Sequence, residues 1–290
     1  DKLANINTPK VKYQKKNSDT KETHHEMLKS LELSQKDTKK LFNYCKLKKI
    51  EFISTPYDVD NAKFLFKLGV KRFKTASADL SDYFLHRYLS TTKREVIIST
   101  GMANMMEISK CLKFYKKKQK ISLLHCVSNY PCKNESLNLN CLDEIKRKFK
   151  CKVGFSDHTD GNLASSIAIA KGAKVIEKHF TLSKNLKGPD HKCSLNPKEL
   201  KDFILTIRKT ETILGKKIKK CQKEEFEMKK VSVKSFIINK NLKKNTKIKL
   251  NDLELQRPNV GFTGFELKNI LGKKINKNKL KYTHIKKNDF

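Results

Sequence analysis

From about residue 24 the chain alternates short β-rich runs with longer amphipathic ones, and this rhythm limits the fold more than any other feature. The strand candidates are Glu51–Ser54, Arg72–Ala76, Glu95–Ser99, Ile121–Cys126, Lys152–Phe155 and Val175–Phe180. Helix candidates lie near 59–68, 82–90, 105–117, 139–149, 161–171 and 197–213, and Met27–Lys49 also reads as helical. Strands roughly 20–30 residues apart with helices between them are parallel strands. An open doubly wound sheet and a (β/α)8 TIM barrel both meet that condition. No G-x-G-x-x-G follows a strand, so the dinucleotide form of the open sheet has no support. Five strands are followed at once by polar clusters: Thr75–Asp79, Ser99–Gly101, Ser128–Tyr130, Ser156–His158 and Lys178–His179. Chemistry at strand C-termini all around a sheet favours the α/β barrel, of whose eight strands six are found.

Near Gly215 the rhythm stops. Residues 1–215 are therefore expected to form the barrel domain, and 216–230 a charged, partly helical linker. Residues 231–290 carry short β runs (Ser235–Asn239, Lys247–Lys249, Glu254–Arg257) and turns near 243–245 and 259–261. They make a small β-rich domain with too little core to be very stable alone.

Composition narrows the function classes. The 290 residues include 65 Lys+Arg against 30 Asp+Glu, a formal charge of +35. The excess is nearly all Lys and is spread along the chain, whereas a nucleic-acid groove concentrates Lys and Arg with aromatics. No nucleic-acid partner is expected, although a positive field steers small anions. The eight cysteines never form C-x-x-C, so a zinc ribbon is disfavoured and scattered thiols in a reducing compartment are expected. No apolar run approaches the ~18 residues of a membrane span and no signal segment opens the chain, so a cytoplasmic location without a membrane partner is expected.

The polar clusters suggest specific chemistry. His158 and His179 follow neighbouring strands at the same end, roughly 5 Å apart in a sheet, and could share a divalent ion. Lys74 could form a Schiff base or neutralise a phosphate or carboxylate. Ser99-Thr100-Gly101 offers hydroxyls and N–H groups ahead of a helix. With Ser77, Ser128 and Ser156 these groups form a ring suited to a small phosphorylated or carboxylated substrate. Asp190, in Gly188-Pro189-Asp190, could bind a sugar hydroxyl or move a proton, or simply belong to a turn. Arg257 stands where Lys is the local habit, which favours a bidentate contact. His125, inside an apolar strand, reads as structural.

The ordered strings from Tyr13-Gln14 through "LELSQKD", "EFISTPYD", "FKTASADL", "VIISTGMA", "LLHCVSNYP", "GFSDHT", "VIEKHFTL" and "GPDHK" closely resemble the sialic acid synthases, including the legionaminate and pseudaminate synthases. Residues 231–290, with "LQRPNVG" and "LGKKINKNKL", are similar to that family's C-terminal antifreeze-like (β-clip) domain. The resemblance implies a transferase that condenses phosphoenolpyruvate with an N-acetylated hexosamine and water. The products would be a nonulosonic acid and phosphate, released by C–O cleavage. It implies phosphoenolpyruvate contacts at Lys74, Ser77, Ser99, Ser128 and Ser156. It further implies Mn²⁺ (or Mg²⁺) on His158 and His179, catalytic roles for His179 and Asp190, and sugar contacts from Tyr130 and Asp190. Arg257 would reach the acetyl group from the partner subunit of a domain-swapped homodimer.

Ala78, Asp82, Ser128 and Asn259-Val260 depart from the usual pattern of those synthases, which fits a different acceptor such as a diacetylated bacterial sugar. The resemblance also implies that a strand–helix–strand bearing a catalytic Glu and a Lys precedes this chain, roughly 40–50 residues. An alternative is a truncated, non-catalytic relative acting as an interaction or regulatory partner. A phosphoenolpyruvate aldolase making a ketodeoxy sugar acid phosphate would leave the C-terminal domain unexplained.

Overall fold

The computed structural model describes residues 3–18 and 21–290. The chain divides into two compact units, Asp1–Gly215 and Lys216–Phe290.

The first unit opens with three helices, α1 (Lys12–Asn17), α2 (His24–Ser30) and α3 (Gln35–Leu47). The single helical pattern expected over Met27–Lys49 is broken at residues 31–34, because Ser34 caps a new start. Its hydroxyl accepts from the Asp37 N–H at 3.1 Å. Helix α4 (Val59–Leu68) ends at Gly69, whose φ of +95° is the left-handed conformation that closes a helix C-terminus. The alternation that follows is β1 (Arg72–Thr75), α5 (Tyr83–Thr91), β2 (Glu95–Ser99), α6 (Met105–Leu112), β3 (Ile121–Cys126), α7 (Cys141–Phe149), β4 (Lys152–Asp157), α8 (Leu163–Ala170), β5 (Val175–Lys178) and α9 (Pro197–Leu214).

The strands form one parallel five-stranded sheet in the order β1-β2-β3-β4-β5. The expected sixth strand is corrected. Glu51–Ser54 forms no ladder and is tied to β1 by side chains, with Arg72 Nε donating to Glu51 Oε1 at 2.7 Å. Phe52 meets Phe42 edge-on at 6.0 Å. An apolar pattern alone does not make a strand where no neighbour supplies the ladder.

Alternation along the strands separates two faces. Phe73, Val96, Ile98, Leu123, Val153 and Phe155 pack with Leu65, Leu85, Leu89, Ile108, Leu142 and Ile145 of the flanking helices, forming the main core. Each such buried side chain contributes about 1.5–3 kcal/mol relative to exposure. The other face carries Lys74, Ser99, Cys126, Ser156 and Glu177, and it lines the main cavity. Gly154 sits on that face because a Cβ there would stand 2.5 Å from the Val175 carbonyl oxygen.

The second unit contains α10 (Phe226–Ser232) and the antiparallel pair β6 (Ser235–Ile238) and β7 (Leu253–Gln256). Lys247–Lys249, expected as a strand, makes only an isolated bridge from Lys247 to Lys274. Phe236, Ile238, Leu242, Ile248, Phe262, Ile270, Ile275 and Ile285 form a separate core. Among the described residues no helix is long and apolar enough to cross a membrane.

Candidate active site

The parallel register places the polar strand ends side by side. Ser156 pairs with Glu177 and Asp157 with Lys178 across β4 and β5, so His158 and His179 follow one step on. Their ring centroids lie 5.4 Å apart, with the planes at 78°. Beneath them Asp157 is fully buried. It accepts from the Thr159 N–H at 2.8 Å, the Thr159 hydroxyl at 2.7 Å and the Ser165 hydroxyl at 2.5 Å, and its Oδ1 lies 3.2 Å from Lys178 Nζ. Lys178 also donates to the Thr159 carbonyl. This network occupies the face away from the cavity and fixes the backbone on which both histidines sit.

The mouth of the sheet opens into a cavity of about 1010 Å³. Lys74, Ser77, Ser99, Ser128, Ser156, Tyr130, His158, His179 and Asp190 all line it, so nine residues singled out from sequence converge there. Thr100 is instead buried with its hydroxyl on the Leu124 carbonyl at 2.8 Å, where it secures the turn. His125 Nε2 donates to the Leu137 carbonyl at 2.6 Å, as expected of a structural histidine. Arg257 belongs to the second unit, exposed just after β7.

Lys74 is a buried cation. Its Nζ donates to Ser99 Oγ at 2.7 Å and to the Thr75 carbonyl at 2.8 Å, and stands 3.3 Å from Glu177 Oε2. Glu177 also accepts from Ser156 Oγ at 2.7 Å. A carboxylate thus already rests beside the lysine and Ser156. On the opposite side, Ser77 Oγ accepts from the Gly101 N–H at 3.0 Å.

Sequence reasoning singled out Tyr130 as a site component, but neither Glu177 nor the other aromatics of this wall. Tyr13 and Gln14 of α1, with Tyr57, also line the cavity. The Tyr13 ring meets Tyr130 at a tilt of 35° with centroids 5.0 Å apart, and the Tyr130 centroid lies 4.2 Å from that of His158 and 5.6 Å from that of His179. Asn17 donates to the Pro189 carbonyl at 3.2 Å, which ties α1 to the loop bearing Asp190. Burial pushes the Tyr13 phenol up to about 12, aided by the Asp190 charge, and raises Tyr57 and Tyr130. All three remain hydrogen-bond donors at neutral pH. Tyr57 and Tyr13 entered the sequence reading only within the strings "EFISTPYD" and Tyr13-Gln14, with no role given to either.

The histidine pair has the features of a cation site. His158 Nδ1 lies 2.9 Å from the Val127 carbonyl, so that nitrogen carries the proton and Nε2 keeps its lone pair. Burial alone would lower His158, but its contacts with Cys126 and Val127 carry it above the usual value. Burial lowers His179, and the neighbouring His158 adds to that effect against Asp190. His179 Nδ1 stands 3.8 Å from Asp190 Oδ2, while Asp190 Oδ1 is buried with no hydrogen-bond partner. The two imidazoles offer the donor chemistry of a divalent-ion site, and the orphaned Asp190 carboxylate stands beside His179.

Residues 1–219 match the NeuB family. The N,N'-diacetyllegionaminic acid synthase of Legionella pneumophila is 37% identical over 96% of this chain and 80% of its own length. The N,N'-diacetyllegionaminic acid synthase of Campylobacter jejuni is 39% identical over 93% of this chain and 82% of its own length. Among solved structures, the N-acetylneuraminic acid (sialic acid) synthetase of Leptospira borgpetersenii superposes with a TM-score of 0.66 at 34% identity. That match covers 70% of this chain and 72% of the other.

Proposed function

The chain belongs to the NeuB family, whose relatives synthesise sialic-type acids, and from that premise we propose that it joins phosphoenolpyruvate to an N-acetylated hexosamine. The acceptor favoured is a diacetylated sugar, since the two relatives named above make N,N'-diacetyllegionaminic acid. One observation carries the reading: an anion ring built on Lys74 and a histidine pair share one cavity. The five-stranded sheet then corresponds to part of a (β/α)8 barrel, and the second unit to an antifreeze-like domain. A domain-swapped homodimer would let Arg257 reach the acceptor's acetyl group.

The residues divide the work by chemistry. Lys74, Ser77, Ser99, Ser128 and Ser156 hold the carboxylate and phosphate of phosphoenolpyruvate. Tyr130 and Asp190 hold the acceptor in its open-chain form, so that its aldehyde carbon faces the enol carbon. Water adds at C2 of the resulting cation, and inorganic phosphate leaves by C–O cleavage. Lys74, already desolvated, stabilises the charge that develops on the departing phosphate. His158 and His179 would hold Mn²⁺ or Mg²⁺, which supplies Lewis acidity at the aldehyde oxygen. Asp190 and His179 would hold or move a proton at that oxygen.

Incubation with phosphoenolpyruvate, Mn²⁺ and either N-acetylmannosamine or a 2,4-diacetamido sugar tests the proposal. Release of inorganic phosphate matched by a nine-carbon acid of the expected mass is the expected result. Phosphate release without such an acid, or no acceptor-dependent release, overturns it.

A further inference from the structure

Among the described residues one group of three side chains has donor atoms close enough to hold a metal ion, and it is not centred on the histidine pair. The ligand atoms of His179, Asp190 and Cys193 all lie within 4.8 Å of one another. Asp190 and Cys193 flank the short turn after Gly188-Pro189. The turn is held by backbone and hydroxyl groups: Cys193 N–H donates to the Asp190 carbonyl at 3.2 Å, and Ser194 Oγ donates to the same carbonyl at 2.7 Å. Leu195 N–H donates to the His179 carbonyl at 2.9 Å, which docks the turn on the end of β5. None of these bonds uses the Asp190 carboxylate, whose Oδ1 is buried without a partner. The Cys193 thiol is half-buried and in no disulfide, and it donates to the Asp190 carbonyl at 3.1 Å.

We propose that His179, Asp190 and Cys193 form a second cation position, selective for Zn²⁺ and Co²⁺ over Mn²⁺ and Mg²⁺. Thiolate is the ligand that makes this distinction, because hard ions prefer oxygen and imidazole–thiolate sets suit zinc. Three protein donors leave a fourth position for water. When the ion binds, the sulfur–metal bond forms and the thiol proton passes to solvent. The position shares His179 with the pair in the proposed function and takes Asp190 from the acceptor. Zn²⁺ there would therefore shut the site that Mn²⁺ or Mg²⁺ opens. The inference rests on the donor set and only borrows that site for its consequence.

Co²⁺ titration of the full chain, followed by absorption, tests this without turnover. The expected result is a near-ultraviolet thiolate-to-cobalt charge-transfer band at one equivalent, removed by one equivalent of Zn²⁺. It should be lost in Cys193→Ser, Cys193→Ala and His179→Ala, and kept in His158→Ala and Cys45→Ser. Absence of the band at saturating Co²⁺, its survival in both Cys193 variants, or its loss in Cys126→Ser overturns the proposal. Because no substrate is present, a failed synthase assay and a failed cobalt titration are separate results.

Discussion

Lys74 Nζ stands 3.3 Å from Glu177 Oε2, a pair formed across the mouth of the sheet between β1 and β5. The lysine is buried while the glutamate remains partly exposed, so an anionic ligand that enters the ring competes with Glu177 for the same cation. A partly exposed ion pair is worth ~0.5–1 kcal/mol, which corresponds to about a two- to fivefold change in affinity. Glu177→Gln should therefore tighten phosphoenolpyruvate binding by that factor, as read by calorimetry. Weaker binding in the variant would show that Glu177 serves the ligand and does not compete with it.

Gly101 is needed for close approach. A Cβ at this position would stand 2.8 Å from Ser77 Oγ and closer still to Ser128 Oγ. Gly101→Ala must push both hydroxyls out of the ring. At about 0.5–1.5 kcal/mol for each hydrogen bond lost, phosphoenolpyruvate binding should weaken by about tenfold or more. The main core is untouched, so the melting temperature should move little; a large drop instead would assign the glycine to stability.

The His158–His179 pair makes a prediction about metal affinity. His158→Ala or His179→Ala should lower Mn²⁺ affinity by more than about 100-fold and abolish metal-dependent turnover. The circular dichroism spectrum should stay as in the parent, because the Asp157 network that fixes β4 lies on the other face. Mn²⁺ affinity unchanged in either variant would remove that residue from the site.

Arg257 is tested by its fork geometry. If it makes a bidentate contact with the acceptor's acetyl group, Arg257→Lys should raise the acceptor KM by about tenfold and leave the phosphoenolpyruvate KM near its parent value. Equal effects on the two substrates would contradict the contact.

The sheet was legible because its signals are local. Runs such as Glu95–Ser99 and Ile121–Cys126 are apolar and β-branched, and each is bounded by a turn; their observed spans match those expected. The residue that follows each run inherits its position from the register, so Ser156, His158 and His179 could be grouped from sequence. Glu51–Ser54 has the same local character but lacks a ladder, which no residue within it could reveal. The break at 31–34 was masked by apolar periodicity continuing past the Ser34 cap. Tyr13 lines the cavity from a helix that Asn17 ties to the Pro189 carbonyl, 172 residues away in sequence, a contact that composition and period do not encode. Cys193 read as one scattered thiol until the turn brought it beside Asp190 and His179.

Asp79 gives the last prediction. It is only 7% exposed, and burial raises its carboxyl to about 6 from 3.8, with Asp82 assisting and the Ala76 N–H and Lys74 opposing. Its Oδ2 accepts from the Ala76 N–H at 3.1 Å, a bond that an amide oxygen can also make. Because the folded state binds the proton more tightly than the unfolded chain, this group favours folding fully below pH 3.8. That contribution is lost as pH rises to about 6, and it amounts to at most ~3 kcal/mol. Carboxylates with lowered values, such as Asp252 and Asp289, act in the opposite sense, so the difference between variant and parent isolates the effect. Asp79→Asn should match the parent in stability near pH 4 and exceed it increasingly up to neutral pH in denaturant titrations. A difference that is flat with pH would show that Asp79 is ionised at no cost in the folded protein.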